Sequence, residues 1–364
     1  MIDIRPHIKS LKSYNPGKTI EEYRSEFGFK KTAVLWNNEN NTGVPQKAVE
    51  RMSTAAAQVN VYPDPLSTQL RDQLAKLNGV ERKNIVVGNG SESILSNLYQ
   101  TFCSEGDEMV TCAGTFVAVY IWAQSHNVNV KKVPLNNEFG FDLNQMRDAV
   151  TPKTKILYIS NANNPTGTAI NEEDLQAFIQ SIPRHILVVI DEAYFEYSRQ
   201  LMPDYPDTSN LLAENVLTLR TFSKAYGLAG VRLGYAAGPE KLIDALNKVR
   251  MTFEPSLITQ QAGIGALEDK AFLSSTLKLN SKWIRKFHDM IDEKGFIRSK
   301  SVANFVMLNL ETEQRAEDFT HHMLKNGVFV RRLPAFGLPH CVRISTGTES
   351  ENEYFSEVFN YLKI

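Results

Sequence analysis

Cysteine is scarce in this chain of 364 residues, and its three copies, Cys103, Cys112 and Cys341, are odd in number and never spaced as Cys-x-x-Cys. That excludes a disulfide framework and a structural zinc site built on paired thiolates. The seven histidines are scattered except for the adjacent His321-His322, and no His-Glu-x-x-His is present to hold a hydrolytic metal, so no metal centre is expected. No apolar run approaches the length that spans a bilayer, and Met1-Ile2-Asp3-Ile4-Arg5-Pro6-His7 lacks the apolar core of a signal peptide. Charge of one sign is lacking too: 40 basic residues stand against 41 acidic ones, for a net charge of −1. Such a chain offers no overall field to nucleic acid or to an anionic membrane. Repeats and low-complexity segments are missing. The expectation is a soluble, cytoplasmic protein long enough for two domains.

What is present is alternation. Ile85-Val86-Val87, Ile156 to Ile159, Ile186 to Ile190 and Val216 to Leu219 are short unbroken apolar runs, separated by stretches of helical periodicity. Such runs fit strands buried on both faces of a mostly parallel sheet covered by helices. The expected fold class is α/β, with a large domain over 45–255 and a smaller α+β domain made of 1–44 plus 256–364. The smaller part shows a long helical stretch toward Glu293, a strand-like Phe305 to Leu308, a helix near Ala316 to Asn326 and a strand-like Val328-Phe329-Val330. The first forty or so residues, with Pro6, Pro16, Gly17 and little periodicity, are expected to drape over that smaller domain.

Polar groups follow the apolar runs. Asn161-Ala162-Asn163-Asn164-Pro165-Thr166-Gly167 comes after the second, Asp191-Glu192-Ala193-Tyr194 after the third, and Ser223-Lys224 after the fourth, with Arg232 eight residues further on. The carboxyl ends of parallel strands open on one crevice, so Asn164, Asp191, Tyr194 and Lys224 can converge there. After the first run, Gly88-Asn89-Gly90-Ser91 leads into a helical pattern from Glu92, a place to hold phosphate. A partly buried lysine at a strand end can shed its proton and attack a carbonyl, which is how a Schiff base to an aldehyde cofactor is made. Each residue alone has a plainer use: a turn at Asn164-Pro165-Thr166-Gly167, a cap at Asp191, a packed aromatic at Tyr194, a surface ion pair at Arg232. The set, in this order, argues for the site. A dinucleotide fingerprint at Gly88 to Ser93 lacks its third glycine, and a non-catalytic module would have no use for the whole set.

The set resembles the fold-type I pyridoxal-phosphate aminotransferases, most closely the histidinol-phosphate aminotransferase group. The resemblance runs over nearly the whole chain, through Ile4-Arg5-Pro6, Leu11 to Lys18, Asn38-Glu39-Asn40, Tyr62-Pro63-Asp64, Gly90-Ser91-Glu92, the three strand-end motifs, and Gly337-Leu338-Pro339 to Arg343-Ile344-Ser345-Thr346-Gly347-Thr348. It implies pyridoxal 5′-phosphate as cofactor. Lys224 would carry the Schiff base and then move the proton between the substrate and the cofactor. Asp191 would pair with the pyridine nitrogen, and Asn164 and Tyr194 with the phenolic oxygen. Ser223, Arg232 and the N–H groups of Ser91 and Glu92 would take the phosphate, and Phe116 would stack on the ring.

Tyr62 would reach the phosphate of a neighbouring subunit, making the active unit a homodimer. Substrate binding would rest on Arg343, with Arg331, and on Tyr14 and Asn38; Arg332 reads as a solvated edge. Three positions depart from the group's pattern and are expected to bear on substrate: Trp36 where a small residue is commoner, Asn41 where a proline commonly follows Asn-Glu-Asn, and Gly114 where Pro-Thr-Tyr is usual before Thr115-Phe116, so that the ring partner has lost a hydroxyl. The implied reaction is amino transfer between histidinol phosphate and 2-oxoglutarate. Another phosphorylated amine or ketone, an aromatic amino acid, or decarboxylation of a phosphorylated hydroxy-amino acid stay open as alternatives.

Overall fold

A computed structural model describes residues 2–13 and 15–362. Seven strands make the central sheet: β1 (Ile85–Gly88), β2 (Glu108–Cys112), β3 (Asn129–Val133), β4 (Thr154–Ser160), β5 (Leu187–Asp191), β6 (Val216–Thr221) and β7 (Gly234–Ala237). Their spatial order is β1-β7-β6-β5-β4-β2-β3. Every neighbouring pair is parallel except those of β7, which runs antiparallel to both β1 and β6. The unbroken apolar runs have a direct cause. Along β5, Leu187 and Val189 enter one core with Tyr158 and Leu219, while Val188 and Ile190 enter the opposite core with Leu157 and Val216. Side chains alternate across a strand, so a sheet covered on both faces needs apolar residues at both parities. β7 escaped the sequence reading because Gly234-Tyr235-Ala236-Ala237 carries little of that signal. It must be small there: a Cβ on Gly234 would lie 2.2 Å from the Ser91 amide nitrogen.

The covering helices carry ordinary start signals. Asn171 caps Glu172–Ser181 by accepting from the Asp174 amide, and Glu172, Glu173 and Asp174 fill the first turn with negative charge. Leu175, Phe178 and Ile179 of that helix pack on the sheet.

A second core gathers Ala33, Leu35, Trp283, Phe287, Val306, Leu308, Phe319 and Phe355. Its antiparallel sheet contains β8 (Ile297–Arg298), β9 (Phe305–Asn309), β10 (Arg331–Leu333) and β11 (Leu338–Ser345), in the order β10-β11-β9-β8. Ala33–Val34 adds to this part by pairing parallel with Val328–Phe329.

Two placements differ from expectation. The helical stretch toward Glu293 is two helices, Leu257–Glu268 and Lys270–Glu293, and the residue between them, Asp269, caps the second by accepting from the Phe272 amide. The first of them packs with the large core rather than the small one. Gly265 lies against Gln46–Ala56, where an added Cβ would sit 2.6 Å from the Ala48 Cα, and Ala262, Ile264 and Ala266 share a core with Leu70 and Leu233. Small residues let the two helices approach closely. The second difference is the N-terminal arm, whose short helix Pro6–Lys9 packs on Val117–Ser125 of the large part, with Gln124 Nε2 donating to Ser10 Oγ at 2.8 Å. Ile4 and Ile8 remain largely exposed, so little apolar burial directs the arm to either core. No helix among the described residues is long and apolar enough to cross a membrane.

Candidate active site

β1 runs parallel to β6 through the intervening β7, so the carboxyl ends of β1, β4, β5 and β6 share one edge of the sheet. A cleft of about 370 Å³ opens there, lined by Ser91, Glu92, Phe116, Asn164, Asp191, Tyr194, Ser223, Lys224 and Arg232. Residues as far apart in the chain as 91 and 232 meet because strand direction, not sequence distance, decides what faces the crevice.

Lys224 sits in the turn after β6. Phe222, fully buried, anchors that turn, the Ser223 amide donates to Thr221 Oγ1 at 3.1 Å, and the Gly227 amide closes onto the Lys224 carbonyl at 3.0 Å. The Lys224 ammonium donates to the Asn37 carbonyl at 3.3 Å and lies 6.0 Å from the Tyr194 ring centre. Burial, then the Arg343 and Arg232 cations, lower its proton affinity to about 8 against the opposing pull of Glu39 and Asp191. A lysine in that state reaches its free-amine, nucleophilic form at mildly alkaline pH.

Asp191 ends β5. Its Oδ2 accepts from the Tyr158 hydroxyl at 2.7 Å and its Oδ1 from the Ala193 amide at 3.2 Å. Burial raises its carboxyl to about 6, with Glu192 adding to the rise while Tyr158, Ala193 and Lys224 oppose it. The two donors hold the carboxylate in place, and its remaining acceptor capacity opens on the cleft.

Asn164 and Tyr194 are oriented by the partners they already have. Asn164 Oδ1 accepts from Arg343 Nη1, which leaves its Nδ2 as the donor end. The Tyr194 oxygen accepts from Asn38 Nδ2 at 2.8 Å, which leaves its own proton to donate. Burial pushes the Tyr194 phenol up to about 12, so it keeps that proton. Both therefore present donors suited to an anionic oxygen.

At the other end of the cleft lies a cradle for an anion. The helix Ser91–Phe102 begins there, and its first amides have no intrahelical acceptor. Arg232, in the left-handed region at φ 59°, approaches so closely that a Cβ on Gly90 would lie 2.8 Å from Arg232 Nη2. Its Nη1 reaches the Ser223 hydroxyl at 3.5 Å. Phe116 supplies an apolar face.

The other expected residues are placed differently. Asn38, in the left-handed region at φ 59°, does not line the cleft; it is buried beneath it, its amide donating to Ser345 Oγ at 3.0 Å. Its neighbours Asn37 and Glu39 face the cleft instead, because the turn at Asn38 directs the flanking side chains outward. Arg343 is buried behind Asn164, with Nη2 donating to the Trp36 carbonyl at 2.7 Å and Nε without a hydrogen-bond partner. Arg331 Nη2 donates to Asn37 Oδ1 at 2.5 Å, next to the cleft wall. Tyr62 is 77 % exposed, outside the cleft, and stacks on Phe253 with ring centres 4.2 Å apart. Tyr14 lies outside the described residues. Arg332 is an edge residue paired with Glu313 and Glu317.

The three departures resolve into packing as well. Asn41 Nδ2 donates to the Val34 carbonyl at 2.9 Å and to Glu351, ties that need a side-chain donor, so its role is structural rather than on the substrate side. Gly114 has φ 74°, with Leu338 3.2 Å from where its Cβ would be. Trp36 packs edge-on against Phe329 at 5.0 Å and offers its carbonyl to Arg343. Sequence reading passed over Tyr158, which looks like one more apolar residue of a strand. The available signal was parity: Ser160 pairs with Asp191 across β4 and β5, so Tyr158 shares their face.

The cleft thus suits a flat ring carrying an anionic group toward Arg232, a protonated nitrogen toward Asp191, an anionic oxygen toward Asn164 and Tyr194, and a carbonyl carbon within reach of Lys224. Similarity to known proteins agrees with that chemistry. A histidinol-phosphate aminotransferase of Bacillus subtilis strain 168 is 37% identical over 352 residues, covering 96% of this chain and 97% of the relative. Among solved structures, the histidinol-phosphate aminotransferase of Sinorhizobium meliloti in complex with pyridoxal-5′-phosphate superposes with a TM-score of 0.88 at 28% identity, covering 99% of this chain and 98% of that one. The Thermus thermophilus aspartate aminotransferase with maleate gives a TM-score of 0.81 at 25% identity over 98% of this chain and all of its own. The sequence model described as aminotransferase class I and II matches residues 31–359, nine-tenths of the chain, and with the strand-end cleft around Lys224 it establishes that the chain belongs to that family.

Proposed function

We propose that this protein binds pyridoxal 5′-phosphate and transfers an amino group between histidinol phosphate and 2-oxoglutarate. The observation that carries the reading is Lys224: a half-buried amine of lowered proton affinity, set between the Asp191 carboxylate and the Arg232 cradle. The donor set fits the cofactor. Gly234 lets β7 pack against the start of the helix, and Gly90 leaves the Arg232 guanidinium free to lie beside the helix amides, where a phosphate can be held. When bound, the cofactor supplies an electron-withdrawing ring that stabilises negative charge on the substrate's α-carbon. Asp191, as an anion, would pair with the ring nitrogen and keep it protonated. Asn164 and Tyr194 would donate to the phenolic oxygen, Phe116 would orient the ring, and Lys224 Nζ would serve as the base that takes the proton from the substrate's α-carbon.

The substrate reading is supported by the names of the relatives and by two arginines. Arg343, buried with an unpartnered Nε, suits a carboxylate such as that of glutamate or 2-oxoglutarate. Arg331, beside the cleft wall, suits the phosphate of the alternate substrate. The same reading makes the protein a cytoplasmic homodimer. Tyr62, stacked on Phe253, shares a shallow surface pocket with the exposed Val59 and Val61, an apolar surface that suits a second copy, and Tyr62 would reach the partner's cofactor phosphate.

Borohydride reduction of purified protein, followed by peptide mapping, should fix the cofactor to Lys224; label on another lysine, or none, overturns the cofactor reading. Histidinol phosphate with 2-oxoglutarate should then yield glutamate. If only phenylalanine or another phosphorylated amine does so, or if carbon dioxide is released from a phosphorylated hydroxy-amino acid, the substrate reading fails while the cofactor reading stands.

A further inference from the structure

Tyr158 does not line the cleft, yet it is the side chain that grips Asp191. It lies in β4, two residues before the strand end, and is fully buried in a core with Tyr99, Val119, Val189 and Leu219. The register pairs Tyr158 with Val189 and Ser160 with Asp191, so by alternation all four side chains share one face of the sheet. From that position the ring spans the distance to the next strand's end, and its hydroxyl donates to Asp191 Oδ2 at 2.7 Å. We infer that Tyr158 is a positioning residue for the cofactor: its hydroxyl keeps Asp191 ionised and oriented, so that the pyridine nitrogen of the proposed cofactor keeps its proton. The inference rests on the cofactor reading given above.

A tyrosine buried among aliphatic residues must find a partner for its hydroxyl. Tyr99, in the same core, donates to the Val119 carbonyl at 3.0 Å, a contact internal to the scaffold. Tyr158 donates to a carboxylate that lines the cleft. Burial and the neighbouring Asp191 anion hold the Tyr158 phenol well above its usual range, so it donates without giving up its proton. Asp191 takes no proton from it, and the only proton left to share with the cofactor is the one on the ring nitrogen. The titratable groups that act on Asp191 are Tyr158 from β4, Tyr194 from the segment after β5, Lys224 from the turn after β6 and, from the opposite face of the sheet, Glu192. Glu192 is held by Arg220 at 2.6 Å, and the Tyr194 oxygen accepts from Asn38, so Tyr158 and the Ala193 amide are the direct donors to Asp191 among the described residues. Replacing Tyr158 by phenylalanine would remove the hydrogen-bond donor to Oδ2, which favours the neutral acid.

The test is equilibrium binding of pyridoxal phosphate to the apo protein across pH, for wild type, Tyr158→Phe and the control Tyr99→Phe. In wild type, affinity should fall as pH drops through about 6, where Asp191 takes up a proton. In Y158F that acid limb should move up by about one unit, so that below it the variant binds about tenfold more weakly. Y99F should leave the limb in place. A cofactor analogue with carbon in place of the ring nitrogen should bind Y158F and wild type equally, an outcome that a merely structural role would not produce. Coincident acid limbs in Y158F and wild type, or equal weakening for the analogue, overturn the inference alone; a wild type that takes up no pyridoxal phosphate overturns the cofactor reading with it. Should Y158F not fold, 3-fluorotyrosine placed at position 158 keeps the shape and strengthens the donor. The limb should then move to lower pH, and an unmoved limb counts against the inference.

Discussion

Asp191 and Glu192 are adjacent carboxylates at the end of the same strand, both buried, and they have opposite fates. Glu192 Oε2 accepts two N–H groups from Arg220 at 3.0 and 2.6 Å, while its Oε1 accepts from the amide and the hydroxyl of Thr208 at 3.1 and 2.7 Å. Arg220 also donates to Asp207 and Asn78, and its guanidinium lies 3.3 Å over the Phe195 ring. Every charge in that group is answered. Asp191 has two donors and an open side on the cleft. One step along a strand moves a side chain to the other face, so the same dipeptide serves stability with one residue and chemistry with the other. Burial alone does not mark a functional charge; a buried charge with spare hydrogen-bonding capacity facing a cavity does.

The largest expected effect belongs to the cleft. Lys224→Ala should lower glutamate formation by about three orders of magnitude or more while leaving the unfolding midpoint near that of wild type, because the side chain makes one long hydrogen bond among the described residues and a distant approach to the Tyr194 ring. Asp191→Asn should lower turnover by about a hundredfold or more without loss of stability at pH 7. Glu192→Gln should do the reverse. Breaking its pair with Arg220 is expected to cost about 3–5 kcal/mol in urea unfolding, and any loss of turnover should track the folded fraction. Equal destabilisation by D191N and E192Q would erase the contrast.

The pH dependence sharpens it. The folded protein holds the Asp191 carboxyl at about 6, above its ordinary value, so the proton binds more tightly folded than unfolded. This residue's contribution to stability is therefore most favourable at low pH and is lost as pH rises through about 6, whereas activity needs the anion and rises over the same window. Comparing D191N with wild type between pH 5 and pH 7, its stability relative to wild type should increase as pH rises. The smallest effect concerns the thiols. Burial pushes Cys103, Cys112 and Cys341 each up to about 12, so a thiol-specific disulfide reagent should label the native protein at neutral pH far more slowly than the unfolded chain.

Four strands of the central sheet, β1, β4, β5 and β6, were legible because burial on both faces of a parallel sheet writes unbroken apolar runs, as at Leu187 to Ile190, whereas β2 and the half-exposed edge strand β3 carry no such run and were not read. β7 was not legible, since Gly234 and the alanines beside it answer to close approach to Ser91 rather than to apolar bulk. The break at Asp269 went unread because both flanking helices carry apolar residues, and the cap that separates them is a single side chain within an otherwise continuous helical pattern. In the site, Asn164, Asp191, Tyr194, Lys224 and Arg232 were legible as a set because each follows a strand. Tyr158, Asn37 and Glu39 were not, since a tyrosine inside an apolar run and a turn flanking Asn38 carry no local mark of what they face.

Which strands exist, and which reactive groups follow them, is written in the chain, since apolar pattern and strand-end position are properties of short segments. Which donors each group still has to offer is a property of the fold. Tyr194 and Asn164 become donors toward the cleft because Asn38 and Arg343, from distant parts of the chain, occupy their acceptor atoms. Asp191 stays oriented because Tyr158 reaches it from the next strand. Hydrogen-bond capacity is filled by neighbours in space, and no local reading of the chain can count those neighbours.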